Sequence, residues 1–266
     1  MDMNMRTEND RQRATQEFNQ MSDYYDKYRP DYPEELVKTI INKANLTVGS
    51  KLLEIGAGSG KATAQFADFG FEIVCIEPGA DLVEQGKAKF NDNKNIKFIV
   101  SRFEDYSEPL EYFDAIISAQ AFHWVSQPIG YSKCSTSLKE GGYLALFWQI
   151  DLFRDVDLDR ELMAIISKYE GFVSCMSEEE YSKRMESITC KIASSGLFSK
   201  PEIIHSYLDK TFLAEEYFRY MMTAANFVKK TDKEKQACRE ELIQLADKYN
   251  GIKRRLTFEL YLTKKL

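Results

Sequence analysis

A short apolar run that breaks into a glycine-rich turn constrains this chain more than any other stretch. Residues 52–60 read Leu-Leu-Glu-Ile-Gly-Ala-Gly-Ser-Gly, and helix-compatible residues follow from 61 to about 69. The apolar run is typical of a buried strand in a parallel sheet. Alternate glycines remove Cβ atoms from the turn, so its backbone can bend sharply and lie against a ligand. The stretch therefore predicts a strand, a ligand-binding turn and a helix.

The spacing of the glycines separates the classes of ligand. A P-loop requires Gly-x-x-x-x-Gly-Lys-Ser/Thr. With Gly60-Lys61 as its Gly-Lys pair, Ile55 replaces the first glycine and Ala62 replaces Ser/Thr, so the P-loop is excluded. A dinucleotide fingerprint starting at Gly56 would put Lys61 at its third small position, where close helix–strand packing disfavours lysine. A nicotinamide-dependent oxidoreductase therefore stays as a weaker alternative.

Composition and charge restrict the partners. The chain has 266 residues, 44% of them hydrophobic, which suits one domain with sizeable insertions. A net charge of −6 argues against holding nucleic acid by clustered Lys and Arg. No apolar run approaches the ~18 residues of a membrane span, and residues 1–20 lack the apolar core of a secretory signal. We expect a cytoplasmic protein without a membrane partner; monomer and homodimer both stay open.

Cysteine and histidine usage gives no sign of a metal site. The five cysteines are an odd number without Cys-x-x-Cys spacing, which is typical of free thiols in a reducing compartment. Two histidines offer little material for a zinc site. We therefore expect no bound metal.

Acidic residues follow the next two predicted strands. Residues 71–76 form the second apolar strand and run into Glu77-Pro78, and residues 96–100 form the third and run into Phe103-Glu104-Asp105. Carboxyl ends of parallel strands meet at one edge of a sheet, beside the glycine turn. There Glu77 can accept hydrogen bonds from both ribose hydroxyls of an adenosine, each worth about 1.5–3 kcal/mol. The pattern predicts a ligand that contains adenosine.

The exit of the fourth strand offers a candidate catalytic residue. Residues 113–118 form this strand, and Ala119-Gln120-Ala121-Phe122-His123-Trp124 follow; residues 143–148 form the fifth strand. His123 can act as a general base for a hydroxyl or acidic substrate. Alternatively, His123 and Trp124 begin a helix and pack against the ligand or the sheet edge. Both interpretations stay open.

The last third of the N-terminal arm, before the sheet, also has two interpretations. Residues 24–33 read Tyr-Tyr-Asp-Lys-Tyr-Arg-Pro-Asp-Tyr-Pro, and the prolines favour an extended, turn-rich segment. The segment is either a surface connector or a flap over the ligands, with Arg29 available for a carboxylate. We treat residues 1–33 as an N-terminal arm or flap.

The last third departs from the simple strand–helix repeat. We expect a solvated loop in the aspartate-rich residues 151–159, a sixth strand at 201–212 and a final antiparallel strand at 255–263. Helical insertions at 151–195 and 213–250 would form a cap lining the substrate pocket of a single domain, 1–266. The Tyr217, Tyr220, Met221 and Met222 cluster either contacts an apolar ligand or packs in the core.

Several of these motifs, in this order, resemble the class I S-adenosylmethionine-dependent methyltransferases. They are Glu-x-Gly-x-Gly-x-Gly at 54–60 and Leu-Lys-x-Gly-Gly-Tyr-Leu at 138–144. Tyr-Arg-Pro-x-Tyr-Pro at 28–33 is similar to a small-molecule subgroup that includes relatives of trans-aconitate methyltransferase. The resemblance covers residues 24–148. It implies an α/β fold with a doubly wound, seven-stranded, mostly parallel sheet whose last strand is antiparallel.

The resemblance also implies the cofactor and the residues that hold it. S-adenosylmethionine would be the cofactor and S-adenosylhomocysteine its product. The glycines would hold its methionine part, Glu77 the ribose, and Glu104 or Asp105 the adenine. The full set implied for the cofactor is Glu54, Gly56, Ala57, Gly58, Gly60, Glu77, Pro78, Phe103, Glu104, Asp105, Ser118 and Ala119. The set expected at the substrate is Tyr24, Tyr28, Arg29, His123, Trp124 and Trp148.

The expected reaction is methyl transfer to an oxygen or nitrogen of a small molecule by in-line displacement. Because the sulfonium activates the methyl group, the protein mainly has to orient the acceptor and exclude water. A non-catalytic protein that binds the same cofactor is an alternative. A nucleic-acid methyltransferase is disfavoured by the charge and by the lack of an Asn/Asp-Pro-Pro-Tyr motif after strand four.

Overall fold

A computed structural model describes residues 25–107, 109–152, 154, 156–170 and 175–266. Tyr24 and most of the predicted arm at 1–33 lie outside the described residues. The prediction of an extended, turn-rich segment at 24–33 is wrong for residues 25–28, which are helical; residues 30–33, which contain both prolines, have no regular secondary structure.

Five parallel strands form the half of the sheet that carries the glycine turn. They are β1 (Lys51–Ile55), β2 (Glu72–Glu77), β3 (Ile96–Val100), β4 (Phe113–Ala119) and β5 (Leu138–Leu152). The helices of this half are α1 (Glu34–Lys43), α2 (Thr63–Phe66), α3 (Ala80–Lys89) and α4 (Ile129–Ser137). The spatial order is β3-β2-β1-β4-β5. Because the order reverses between β1 and β4, their carboxyl ends border the crevice where such sheets bind ligands.

The second half of the chain completes the sheet with antiparallel pairs. Its elements are α5 (Asp157–Lys168), β6 (Cys175–Met176), α6 (Glu178–Ser194), β7 (Glu202–Phe212), α7 (Ala214–Met221), α8 (Ala225–Val228), α9 (Asp232–Tyr249) and β8 (Ile252–Lys264). The last strand, β8, lies between β5 and β7 and is antiparallel to both. The predicted seven-stranded sheet with an antiparallel last strand is confirmed, and β6 adds two residues beside β5.

Apolar layers cover both faces of this sheet. One layer includes Leu36 of α1, Phe147 of β5 and Leu242 of α9. The other includes Leu146 of β5 and Ile188 of α6. Adjacent residues of β5 thus belong to opposite layers, as the period of a strand requires. This is the doubly wound α/β arrangement that the alternating strands and helices predict. Among the described residues, no helix is long and apolar enough to cross a membrane.

The helix after the glycine turn is shorter than predicted. We expected it to run from residue 61 to about Phe69, but α2 has four residues and continues as a 3-10 turn, Ala67–Phe69. Lys61 instead reaches back to Asp31, and the Thr63 hydroxyl bonds to Glu54. These tertiary contacts hold the residues after the turn, which an analysis of local helix propensity could not anticipate.

The prediction of a solvated loop in the aspartate-rich stretch is wrong at both of its ends, whereas residues 154, 156 and 157 are exposed. Asp151 lies on β5 and Asp159 lies in α5, and both are buried. Arg254 of β8 donates to Asp151 Oδ1 at 3.0 Å and to Asp159 Oδ1 at 2.6 Å. This counter-charge comes from about 100 residues further along the chain, beyond the reach of a local pattern.

The cluster of Tyr217, Tyr220, Met221 and Met222 belongs to the core, so the packing interpretation holds. Tyr217, Tyr220 and Met221 are fully buried, whereas Met222 is half-buried. The Tyr220 ring stacks on Phe212 with centroids 5.6 Å apart.

Candidate active site

The glycine turn forms a backbone cradle at the carboxyl end of β1. Gly56, Gly58 and Gly60 all have positive φ angles, between 58° and 85°. A Cβ at Gly56 would lie 2.3 Å from the Ala121 side chain, and one at Gly60 would lie 2.6 Å from the Phe90 ring. A Cβ at Gly58 would meet no described atom within 4 Å. Two of the glycines therefore permit packing of the turn itself, while Gly58 borders open space that a ligand can fill.

Glu77 is joined directly to this cradle. Its Oε2 accepts a hydrogen bond from Gly58 N–H at 3.0 Å, and its Oε1 accepts one from Gly79 N–H at 2.9 Å. Burial raises the pKa of Glu77, and the two backbone hydrogen bonds oppose that rise. A carboxylate has about four lone-pair sites, so each oxygen can still accept from a hydroxyl. The predicted meeting of Glu77 and the glycine turn is therefore present.

Glu54 lies beneath the turn rather than at its surface. Its side chain is buried and accepts a hydrogen bond from Thr63 Oγ1 at 2.6 Å. Burial raises the pKa of Glu54 to about 7; the Thr63 hydrogen bond opposes the rise and the nearby Glu77 adds to it. Glu54 therefore stabilises the turn from below, and its carboxyl group changes protonation state near neutral pH.

The variant Glu54→Gln is expected to flatten the dependence of stability on pH. The pKa of about 7 in the folded protein exceeds the ordinary value of 4.5, so the folded state holds this proton more tightly. The resulting stability is present below pH 4.5 and is lost as pH rises through 7. The gap between the two pKa values corresponds to ~3 kcal/mol. Urea unfolding from pH 5 to pH 8.5 measures it.

The control for Glu54→Gln is Glu84→Gln, which changes an exposed carboxylate of α3 paired with Lys87. It should keep the slope of the wild-type protein. A wild-type slope in Glu54→Gln as well would show that Glu54 does not titrate in this range.

The two carboxylates after β3 have different surroundings. Glu104 Oε1 accepts from Ser126 N–H at 2.8 Å and lies 3.7 Å from the Arg102 guanidinium. Burial opposes its charge, but the Ser126 hydrogen bonds and Arg102 lower the pKa of Glu104 overall. The side chain of Asp105 is 70% exposed. Phe103, which lies between β3 and these two carboxylates, is buried. Glu104 is thus tied to the segment that follows β4, and Asp105 points to solvent.

His123 lies in a single 3-10 turn at the exit of β4, Phe122–Trp124. Its Nδ1 accepts a hydrogen bond from Trp148 Nε1 at 3.2 Å. We infer from this bond that the neutral ring carries its proton on Nε2. His123 is therefore a hydrogen-bond donor at Nε2. Ser118, just before this turn, is buried and donates to the Ile55 carbonyl at 2.8 Å, which ties β4 to β1.

The segment of residues 25–33 contacts α7 through Arg29 and Tyr28. Arg29 Nε donates to Thr223 Oγ1 at 2.9 Å, and its guanidinium lies between the rings of Tyr25 and Tyr220, 5.3 and 5.1 Å from their centroids. Tyr28 Oη accepts from Arg219 at 2.6 Å. The predicted substrate residues Tyr28 and Arg29 thus join the arm to the helices at 213–250.

The same segment contacts the glycine turn through Lys61. Lys61 Nζ donates to Asp31 Oδ1 at 2.7 Å and to the Asp26 carbonyl at 3.0 Å. In the sequence, Lys61 was noted only because it does not fit the dinucleotide fingerprint. The four-residue α2 likewise offers no extended helix N-terminus for a pyrophosphate, which further weakens the oxidoreductase alternative. Residues 25–33 therefore bridge the glycine turn and α7.

The strand order, the glycine cradle and the carboxylate at the end of β2 define a class I S-adenosylmethionine-dependent methyltransferase domain. A family model described as "Methyltransferase domain" matches residues 53–146, from β1 through most of β5. The family that the motifs resemble is confirmed for this part of the chain, and S-adenosylmethionine is the cofactor of that class.

Relatives with this domain occur in distant organisms. A Saccharomyces cerevisiae protein described as a probable S-adenosylmethionine-dependent methyltransferase is 33% identical over 131 residues, 48% of this chain and 44% of its own length. An uncharacterized methyltransferase of Mycobacterium bovis is 28% identical over 146 residues, 54% and 56% of the two chains. The chain therefore spans about half the length of the curated relatives it matches.

Solved structures share the fold over a greater length at low identity. A phosphoethanolamine N-methyltransferase 2 of Haemonchus contortus superposes with a TM-score of 0.58 at 14% identity, covering 97% of this chain and 60% of its own. The [4+2]-cyclase SpnF superposes with a TM-score of 0.58 at 15% identity, covering 96% of both chains. Because the second is described as a cyclase, the fold by itself does not decide the reaction.

Proposed function

We propose that this protein transfers the methyl group of S-adenosylmethionine to an oxygen or nitrogen of a small molecule. The observation that carries the proposal is the direct hydrogen bond between Gly58 and Glu77 beside open space. This bond places a backbone without side chains next to a buried carboxylate at one edge of the sheet. The backbone can bind the amino-acid part of the cofactor, and the carboxylate can bind its ribose. An oxidoreductase would need a pyrophosphate site there instead.

The cofactor residues follow the order of the strands. We assign Gly56, Ala57, Gly58 and Gly60 to the methionine part, with Glu54 beneath them, and Glu77 and Pro78 to the ribose. Glu104 or Asp105, with Phe103, would meet the adenine, and Ser118 and Ala119 would line the exit of β4. S-adenosylmethionine supplies a methyl group activated by its sulfonium. The fit rests on the cradle at Gly58, which any side chain would fill.

The acceptor would lie between the exit of β4 and the N-terminal arm. We assign it to Tyr28, Arg29, His123, Trp124 and Trp148, with Tyr24 outside the described residues. Burial opposes the charge of Arg29, but Tyr220, Tyr25 and Asp151 raise its pKa, so the guanidinium stays charged and suits an acidic group. Here the residues orient the acceptor and exclude water, which is the main requirement of an in-line displacement.

The arm and the helical segments would enclose this site. Residues 25–33 bridge the glycine turn and α7, so we propose that 1–33 acts as a flap and that 151–195 and 213–250 form the cap of a single domain. The net charge of −6 supports a small-molecule acceptor over a nucleic acid. A cytoplasmic monomer or homodimer completes the proposal.

Calorimetric titration with S-adenosylhomocysteine, run beside NADH, tests the cofactor. Micromolar binding of S-adenosylhomocysteine alone is the expected result, and binding of NADH alone would overturn the proposal. Incubation with methyl-labelled S-adenosylmethionine and a metabolite extract then tests the reaction. Label transfer to a small molecule supports catalysis, whereas cofactor binding without transfer to any extract would favour a non-catalytic binding protein.

The variant Glu77→Gln is expected to weaken S-adenosylhomocysteine binding by about tenfold or more. A charge-assisted hydrogen bond contributes about 1.5–3 kcal/mol and a neutral one about 1 kcal/mol, and tenfold in affinity is about 1.4 kcal/mol. Glu72→Gln, at the exposed start of the same strand, is the matched control and should bind as the wild type does. Equal affinities of the two variants in calorimetry would remove Glu77 from the cofactor site.

A further inference from the structure

A row of polar side chains crosses the face of the sheet that α6 covers. Trp148 of β5 lies opposite Glu259 of β8, and Glu259 lies opposite His205 of β7. Directly opposed residues of antiparallel strands share a face. Tyr181 of α6 bonds to His205 with Oη and Nε2 2.7 Å apart, and Arg184 of α6 contacts the other two. We call these five residues the polar row.

Arg184 holds the indole of Trp148 within this row. Its guanidinium lies 5.0 Å from the Trp148 ring centroid and is ion-paired with Glu259. Glu259 Oε2 also accepts from Tyr261 Oη at 3.2 Å, and the Tyr261 ring meets the indole edge-on with centroids 5.8 Å apart. The Arg184 guanidinium therefore packs on the face of the indole, and the Tyr261 ring packs against the same indole in a T-shaped arrangement.

Stability alone does not account for an ion pair at this place. Glu259 is fully buried and the Arg184 side chain is 13% exposed, in a layer that otherwise contains apolar residues such as Leu146 and Ile188. Taking two charges out of water costs about as much as their attraction returns, so apolar side chains of similar volume would serve the fold equally. Burial accordingly lowers the pKa of Arg184.

One end of the polar row reaches the candidate active site. Trp148 Nε1 donates to His123 Nδ1 at 3.2 Å. An indole has a single N–H with a fixed direction, so the tilt of the ring decides whether Nδ1 receives it. While Nδ1 receives it, the neutral imidazole carries its proton on Nε2. The orientation of Trp148 therefore sets both the tautomer and the orientation of His123.

We propose that Arg184 is a positioning residue that, through Trp148, presents His123 to the methyl acceptor as a hydrogen-bond donor at Nε2. The role of this donor toward a methyl acceptor rests on the proposed function. The contacts from Arg184 through Trp148 to His123 do not depend on it. The acceptor molecule would carry a lone-pair group at this nitrogen, such as a carbonyl, carboxylate or ether oxygen. His123 would then orient the acceptor rather than remove its proton.

Two variants test Arg184 without leaving Glu259 alone as a buried charge. Arg184→Lys keeps the charge but loses the planar group over the indole. The double variant Arg184→Met with Glu259→Met removes both charges at similar volume. Lys183→Met is the control, because it changes the adjacent cation of α6, which is 71% exposed and pairs with Glu179. Circular dichroism establishes whether each variant folds. If the double variant fails to fold, Arg184→Lys alone tests the proposal.

The first readout is solvent exchange of the indole protons by NMR in the full-length protein. The chain has two tryptophans, so Trp124 provides an internal reference, and Trp148→Phe assigns the signals. We expect the Trp148 proton to exchange about tenfold faster in both Arg184 variants, since local opening becomes easier, while Lys183→Met stays at the wild-type rate. Exchange within about twofold of wild type in the Arg184 variants would overturn the proposal.

The second readout separates this proposal from the proposed function. With an acceptor that the wild type methylates, both Arg184 variants should lower kcat while the KM for S-adenosylmethionine stays the same. Faster indole exchange with unchanged kcat would overturn the role of Arg184 in presenting His123. If the wild type methylates no acceptor, the proposed function fails and the use of His123 fails with it, whereas the exchange rates still decide whether Arg184 holds Trp148.

Discussion

Replacing Gly58 by valine is expected to weaken S-adenosylhomocysteine binding by at least about 100-fold, or ~2.7 kcal/mol, while the protein stays folded. A Cβ at this position would meet no described atom within 4 Å, so the side chain would extend into the open space that we assign to the cofactor. The φ of +58° also strains a β-branched residue, at a cost of about 1–3 kcal/mol. A fold stable by about 5–15 kcal/mol tolerates that cost.

Two further variants separate filled space from backbone strain. Gly196 has a φ of +67° and equally open surroundings, but it follows α6, away from the glycine turn, so Gly196→Val reproduces the strain alone. Gly58→Asn fills the space with a residue that tolerates the left-handed region. Calorimetry should show loss of binding for both Gly58 variants and normal binding for Gly196→Val. Unchanged affinity in the Gly58 variants would remove the turn from the cofactor site.

Replacing Arg254 by methionine is expected to lower the free energy of unfolding by about 3–5 kcal/mol at neutral pH, because buried Asp151 loses its counter-charge and buried Asp159 keeps only the partly exposed Arg154. Asp151 and Asp159 are at most 1% exposed and both accept from this guanidinium. Urea unfolding at pH 7.5 measures the loss.

The neighbouring arginine of the same strand is the matched control for Arg254. Arg255 points to the other face of β8 and pairs with Asp209 through two hydrogen bonds of 2.7 Å, but both side chains are more than half exposed. Such a surface pair contributes about 0–1 kcal/mol, so Arg255→Met should be nearly neutral. Equal losses in the two variants would mean that Arg254 does not neutralise a buried pair.

Local patterns were sufficient for the half of the sheet that carries the cofactor domain. The apolar runs at β1 to β4 predicted the strands within one or two residues, because each run is apolar and bounded by turn residues. Burial on both faces holds for β1 and β4, whereas β3 is the partly exposed edge strand. The positions of Gly58 and Glu77 at two strand ends predicted that they lie at the same edge, since parallel strands bring those ends together. Their direct hydrogen bond was not predicted. The core of β5 was predicted as well, although the strand extends further at both ends.

Contacts between distant segments account for the predictions that were wrong or missing. The aspartates at 151 and 159 were assigned to solvent because the residue that pairs with both is distant in the sequence. Arg254 reaches them only after β8 inserts beside β5, and the nearby Arg154 pairs with Asp159 alone. Lys61 was interpreted only as a mismatch to the dinucleotide motif. Its hydrogen bond to Asp31 was not predicted, because it depends on how the arm crosses the glycine turn. The hydrogen bond from Trp148 to His123 joins two strand ends in the same way.

The sequence by itself indicated the class of domain through its resemblance to known methyltransferases. Strand period, glycine spacing and the polarity of parallel strands also predicted that the glycine turn and Glu77 lie at one edge of the sheet. The tertiary structure alone decided which charges are buried, what the arm contacts and which hydrogen bond His123 makes. Those features depend on residues between 25 and 194 positions apart, and no local pattern encodes the distance between them.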